Sequence, residues 1–208
     1  MIPTPLRRRA VAVALALTAV LTTSAATSPA SPAKTAPTKA TTAAKAAPTC
    51  PQLYDPTAAA ADPRVDIRRI TPEPVWRTGC GTLYRSDARG PAVVFEQGFH
   101  PRDVVNGQYD IEQYVLVNQP SPYVSTSYDH DLYKTWWKSG YNYYIDAPGG
   151  VDVNRTIGDT HRWADQVEVA FPGGIARRYI IGVCPVDKKT KTEIMSECES
   201  NPHYEPWH

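Results

Sequence analysis

The chain has 208 residues and carries 22 Lys and Arg against 21 Asp and Glu, but six of those bases and none of the acids fall in residues 1–49. Residues 50–208 therefore hold 16 bases against 21 acids, a net charge of −5 with His neutral. So acidic a body excludes a protein that tracks nucleic acid by neutralising a long run of phosphates; any such contact has to be local and short.

The N-terminus reads as a targeting segment. Arg7, Arg8 and Arg9 precede an apolar run from Ala10 to Leu21, and Ser24-Ala25-Ala26 supplies a small-residue cleavage site. This is the pattern of a secretory signal over residues 1–26, with an apolar run too short for a membrane span. Residues 27–49 are almost all Ala, Thr, Pro, Ser and Lys. That composition cannot bury a core and reads as a disordered linker or removable pro-segment. Residues 50–208 suit one domain. All four cysteines lie there, and export favours disulfides. Four cysteines allow three pairings. The local pairs Cys50–Cys80 and Cys184–Cys198 are favoured. A structural zinc is the rival reading, but no C-x-x-C spacing is present.

Thr82 to Ser86 reads as a short strand ending in Arg85 and Ser86. Pro91 and Gly98 bracket a helix, with Val94 and Phe95 as its apolar patch. Tyr109 to Gln119 holds a short helix closed by Pro120. Pro122 to Ser127 is a strand ending in Ser125, Thr126 and Ser127. Asp129 caps a helix to Lys138, stopped by Gly140, on which Leu132 shares a face with Trp136 and Tyr133 with Trp137. Tyr141 to Ile145 is an aromatic strand, turned by Gly149-Gly150. A polar loop covers Asn154 to Trp163. Asp165 to Phe171 alternates polar and apolar residues and predicts a half-buried strand on which Gln166 and Glu168 project together. Ala176 to Val186 predicts a long apolar strand, and Thr192 to Met195 a segment that pairs with it. Strands outnumber helices without β-α alternation, so the fold class is α+β. Neither G-x-G-x-x-G nor G-x-x-x-x-G-K-[ST] occurs. The five histidines lack metal-like spacing, and no G-x-S-x-G is present.

An Arg at one strand end, Ser-Thr-Ser at a second and Gln-x-Glu on a later strand, in that order, resemble the R-S-E class of mono-ADP-ribosyltransferases. The stretches Tyr84–Pro91, Val94-Phe95, Gly98-Phe99, Val124–Ser127 and Gln166–Glu168 resemble its pierisin-like, guanine- and DNA-targeting branch. The resemblance covers essentially all of residues 50–208. It implies two mainly antiparallel sheets around an NAD cleft with flanking helices, and a toxin-like, secreted enzyme of the glycosyltransferase type. Breaking the nicotinamide–ribose bond creates an oxocarbenium-like centre, as in glycoside hydrolysis. Glu168 would stabilise that charge and grip a ribose hydroxyl. Gln166 would hold the guanine edge, since an amide both donates and accepts. Glu at that position is typical of arginine-modifying enzymes, so Gln points elsewhere. Arg85 would pair with NAD phosphate. Ser125 would orient Glu168. Thr126 and Ser127 would support the strand end, and with Ser86 and Asn118 complete the cofactor-contacting set. Trp163, Trp136 and Lys138 would dock the nucleobase by stacking and phosphate contact. NAD is a substrate here, no metal is needed, and a soluble monomer outside the cell follows once the signal is removed. A protein-targeting transferase, an NAD glycohydrolase or a non-catalytic binding module are the other readings.

Overall fold

The computed structural model describes residues 50–208. The expected signal segment (1–26) and linker (27–49) lie outside the described residues. The domain begins with a long proline-rich lead-in that has little regular structure beyond a 3-10 turn at Ile67–Arg69. Cys50 and Cys80 are bonded across it, and the second disulfide joins Cys184 to Cys198, so both favoured pairings form.

The regular elements follow from Leu83. They are β1 (Leu83–Asp87), α1 (Pro91–Gln97), α2 (Ile111–Val117), β2 (Tyr123–Ser127), β3 (Tyr141–Ile145), β4 (Val151–Asp152), α3 (Val153–Ile157), β5 (Glu168–Pro172), β6 (Ile180–Asp187), β7 (Thr192–Glu193) and β8 (Glu199–Ser200). Every strand pair is antiparallel, in the order β4-β5-β2-β1-β3-β6-β7, with β8 also on β6. The sheet has two halves. β2 pairs with β5, and β1 with β3, over five residue pairs each, but β1 meets β2 only at Tyr84 and Ser127. Beyond that pair the two central strands part. Arg85 spans the gap, with Nη1 donating to the Ser125 carbonyl at 2.7 Å.

One buried cluster draws on both halves, combining Leu83, Tyr143 and Val183 with Val124, Val169 and Phe171. A second, around Tyr123, Ala170, Val151 and Val153, receives Ile111 and Val115 of α2. β5 is buried along its whole length because it carries both clusters. Gly98 ends α1 at φ +73, where a Cβ would collide with the Ile175 carbonyl; the Phe99–Ile175 bridge needs that close approach. At the C-terminal end, Tyr204, Trp207 and His208 all reach the buried Asp146 carboxylate.

Several expectations are corrected. The strand set at Asp165–Phe171 begins only at Glu168. Ala164–Gln166 is a 3-10 turn, and Val167 sits at φ +40, in the left-handed region. The helix expected over Asp129–Lys138 is two 3-10 turns, His130–Lys134 and Trp137–Ser139, interrupted at Trp136. Tyr133 is buried and Trp137 only half-buried, so the shared helical face is lost. The strand set at Ala176 starts at Ile180, after a 3-10 turn over Arg177–Tyr179. The polar loop at Asn154 opens with α3, whose first turn Asp152 caps by accepting from the Arg155 amide at 3.1 Å.

Candidate active site

The cleft lies where β1 and β2 part. Three adjoining cavities of about 180, 250 and 380 Å³ share their walls. Ser125 lines all three, and Arg85 the first and third. Gln166 and Trp136 line the first and second, and Tyr114 and Asn118 the second and third. Arg85 and Ser125 stand mid-strand on β1 and β2, not at the expected strand ends, and Glu168 opens β5; side chains far apart in sequence converge on one opening.

Glu168 opens β5 and is only 7 % exposed. It pairs across the ladder with Ser127 and faces the 250 Å³ cavity with Gln166, Trp163 and Ser125. Burial raises its carboxyl above the ordinary carboxylate value; hydrogen bonds from Tyr114 and Ser125 and the charge of Arg85 act against that rise. Tyr114 donates to Glu168 Oε1 at 2.8 Å. Burial and the Glu168 charge push the Tyr114 phenol well up, so it stays a donor at neutral pH. The Tyr114 bond aims a desolvated carboxylate and partly offsets the burial that disfavours its charge, the arrangement needed to face a developing positive centre.

Gln166 reaches the cleft differently from the expected strand geometry. The turn ending at Val167 carries it, and β2 holds that turn: Ser127 Oγ donates to the Gln166 carbonyl at 2.7 Å, and the Tyr128 amide to the Val167 carbonyl at 3.3 Å. A β-branched residue at positive φ is strained, and the strain sits between the two cleft side chains. Thr126 Oγ1 donates to the Val169 carbonyl at 2.8 Å. The hydroxyls of Thr126 and Ser127 are thus bound to the frame, although Thr126 and Ser86 still line the smallest cavity.

Arg85 and Arg89 grip one carboxylate. Arg85 Nη2 and Arg89 Nη2 approach Asp87 Oδ2 at 2.9 and 2.8 Å, and both guanidiniums lie about 5 Å from the Phe99 ring, at 5.1 and 5.2 Å. With His100 and Arg102 they make the 380 Å³ cavity the basic end of the cleft. Burial pushes Asp87 up, but the Arg89 bond and the Arg85 charge overcome it and hold its carboxyl at about 2. A depressed folded value contributes stability above the unfolded value of 3.8 and loses it as pH falls through about 2. The stability difference between the natural chain and Asp87→Asn should therefore narrow, by at most about 2 kcal/mol, between pH 4 and pH 2. Denaturant titrations at both pH values measure it; a pH-independent difference would refute the pairing.

Asn118 caps α2 in the left-handed conformation, and its Oδ1 accepts from Arg102 Nη2 at 2.6 Å. Trp163 sits beneath the Arg162 guanidinium, 4.4 Å from its ring centroid, and lines the Glu168 cavity. Trp136 is 45 % exposed at the wall between two cavities. Lys138 lines none of the three; its Nζ lies 5.5 Å from the Trp137 ring. Among the described residues no three His, Cys, Asp or Glu side chains converge as a metal would require.

Residues 83–204 match the family described as Scabin-like. The chain belongs to the Scabin-like family. It is 82 % identical over 161 residues to a guanine-specific ADP-ribosyl transferase of Streptomyces coelicolor, covering 77 % of this chain and 79 % of that one. It is 39 % identical over 110 residues to Pierisin of Pieris brassicae, covering 47 % of this chain but only 13 % of Pierisin. Among solved structures, Scabin toxin from Streptomyces scabies in complex with NADH superposes with a TM-score of 0.78 at 81 % identity, covering 79 % of this chain and all of that one. The expected α+β ADP-ribosyltransferase fold is the one observed. In this Scabin-like cleft two contributors escape the three-motif reading: Tyr114, which bonds Glu168, and Arg89, which shares Asp87 with Arg85. A signal existed for the first. Ile111 and Val115 fix the buried face of α2, and Tyr114 and Asn118, four apart, then share the neighbouring stripe. Arg89 carried no periodic signal.

Proposed function

We infer that the cleft breaks the nicotinamide–ribose bond of NAD and transfers ADP-ribose to guanine, so the chain is an NAD-dependent mono-ADP-ribosyltransferase. The observation that carries this is Glu168. It is a buried carboxylate, aimed by the Tyr114 hydroxyl, facing the same cavity as an amide, Gln166, and opening towards the arginine-lined end of the cleft. The bond to nicotinamide breaks with its electron pair passing to the ring nitrogen, which neutralises the pyridinium. The sugar carbon left behind is electron-poor, and Glu168 stabilises it. The exocyclic amine of guanine then supplies the lone pair for the new C–N bond and releases a proton to water. Gln166 holds the guanine edge, with Trp163 and Trp136 as stacking surfaces. Arg85 and Arg89 receive the diphosphate of NAD, where planar donor forks suit phosphate oxygens. Asn118 borders that end, and Ser86 borders the smallest cavity.

The acceptor is guanine in DNA and in free nucleosides and nucleotides. The enzyme acts as an exported monomer after loss of its signal segment. The two disulfides support an oxidising destination. No helix among the described residues is long and apolar enough to cross a membrane.

Mass spectrometry of the domain incubated with NAD, guanosine and duplex DNA, the DNA digested afterwards to nucleosides, tests the reading. Guanosine and deoxyguanosine carrying one ADP-ribose are expected. Free ADP-ribose and nicotinamide without an adduct would leave an NAD-cleaving enzyme with another acceptor. Untouched NAD would overturn the reading altogether.

A further inference from the structure

Residues 50–208 are acidic overall, yet their lysines are not scattered. All five, Lys134, Lys138, Lys188, Lys189 and Lys191, fall in two segments: the one that carries Trp136, and the turn between β6 and β7. The fold brings these segments together. Lys138 Nζ and Lys191 Nζ lie 5.5 and 5.4 Å from the centroid of one ring, that of Trp137. Lys134 is neutralised by Asp131 at 2.6 Å. The other four make no ion pair among the described residues, and all four are exposed. Two unpaired ammonium groups held beside one ring raise the local positive potential and favour an anion nearby.

The turn is also held rigid. Asp187 Oδ1 accepts from the Lys189 and Thr190 amides at 2.7 and 2.9 Å, and its carbonyl from the Lys191 amide at 2.8 Å. Two residues on, Glu193 anchors the hairpin to the cleft wall. Its carboxylate accepts from Asn142 Nδ2 at 2.8 Å and from the Tyr144 hydroxyl at 2.9 Å, and lies 3.1 Å from His130 Nε2. Asn142 lines the smallest cavity, and His130 begins the segment that carries Trp136. The lysines therefore keep a set position relative to the cleft without lining it.

We propose that Lys188, Lys189 and Lys191, on the turn beside Lys138, receive the phosphodiester backbone of a DNA strand whose guanine occupies the cavity beside Gln166 and Trp136. The inference rests on the guanine reading above and extends it to the polymer. A free nucleoside bound at Gln166 has no phosphate to offer the hairpin; a strand presents phosphates on either side of the target base. The contact is short and local, as the net charge of −5 demands, and lysine suits it as a mobile point charge that needs no fixed phosphate orientation.

The test is the variant K188Q/K189Q/K191Q, which alters exposed side chains only. Initial rates are measured with guanosine and with a single-stranded oligodeoxynucleotide containing one guanine, over a salt series. For the oligonucleotide, kcat/KM should fall about tenfold at low salt, and its log–log salt slope should become shallower by ~2, the loss of three phosphate contacts. Guanosine kinetics should not change. Equal losses on both acceptors, or no loss on the oligonucleotide, would overturn the cluster while leaving the guanine reading intact. Failure of the natural chain to modify guanosine would overturn that reading, and this inference with it.

Discussion

Glu168→Gln is expected to lower kcat for nicotinamide release by about 10²–10³-fold, with a much smaller effect on the KM for NAD. The amide keeps the shape and part of the hydrogen bonding but removes the negative charge. That charge matters most when positive charge develops at the sugar, so its loss falls on the transition state more than on bound NAD. The environment sharpens the effect. Glu168 is buried, and a charge in a low-dielectric site acts more strongly than one in water. Burial also raises its carboxyl value, so the acid limb of the pH–rate profile should lie above the ordinary carboxylate range. Tyr114→Phe removes a bond to the charged form, and this limb should then move to still higher pH. A Glu168→Gln enzyme within threefold of the natural rate would remove Glu168 from the chemistry.

Gln166→Glu is expected to separate the two half-reactions. Transfer to guanosine should fall about 10²-fold, because a carboxylate cannot donate to an acceptor on the base edge and leaves it unpaired. NAD cleavage to free ADP-ribose should change little, since Gln166 stands on the turn before β5 and takes no part in the Tyr114–Glu168 bond. The ratio of adduct to free ADP-ribose, read from one chromatogram, measures this directly. Parallel losses in both would mean that Gln166 serves NAD rather than the acceptor.

Much of this cleft was legible because its three polar motifs stand on separate strands and in a set order along the chain. Glu168 opens β5, but Arg85 and Ser125 stand mid-strand and not at the strand ends expected for them. The paired cysteines were legible too: short separations and export leave few alternatives. The route by which Gln166 enters the cleft was not. Alternation treats residues 165–171 as one strand, but it cannot register that Val167 takes a left-handed turn, because the bonds from Ser127 and Tyr128 that hold it come from 39 residues upstream. The helix expected over Asp129–Lys138 failed for a related reason. Its spacing suits an α-helix, but Tyr133 is drawn into the interior and His130 to Glu193, and two tight turns satisfy both better than one cylinder. Tyr114 was hidden by type: a tyrosine on a short helix reads as core until the carboxylate it serves is in view.

The two disulfides have a consequence that depends on where they are absent. One fastens the lead-in to the start of the sheet, the other fastens β6 to the segment before β8. Neither crosses the strands that carry Arg85, Ser125 and Glu168, which are joined by ladder hydrogen bonds, the Arg85–Ser125 bridge and shared apolar packing. A reducing compartment would therefore act on the periphery and leave the catalytic frame without a covalent link to lose.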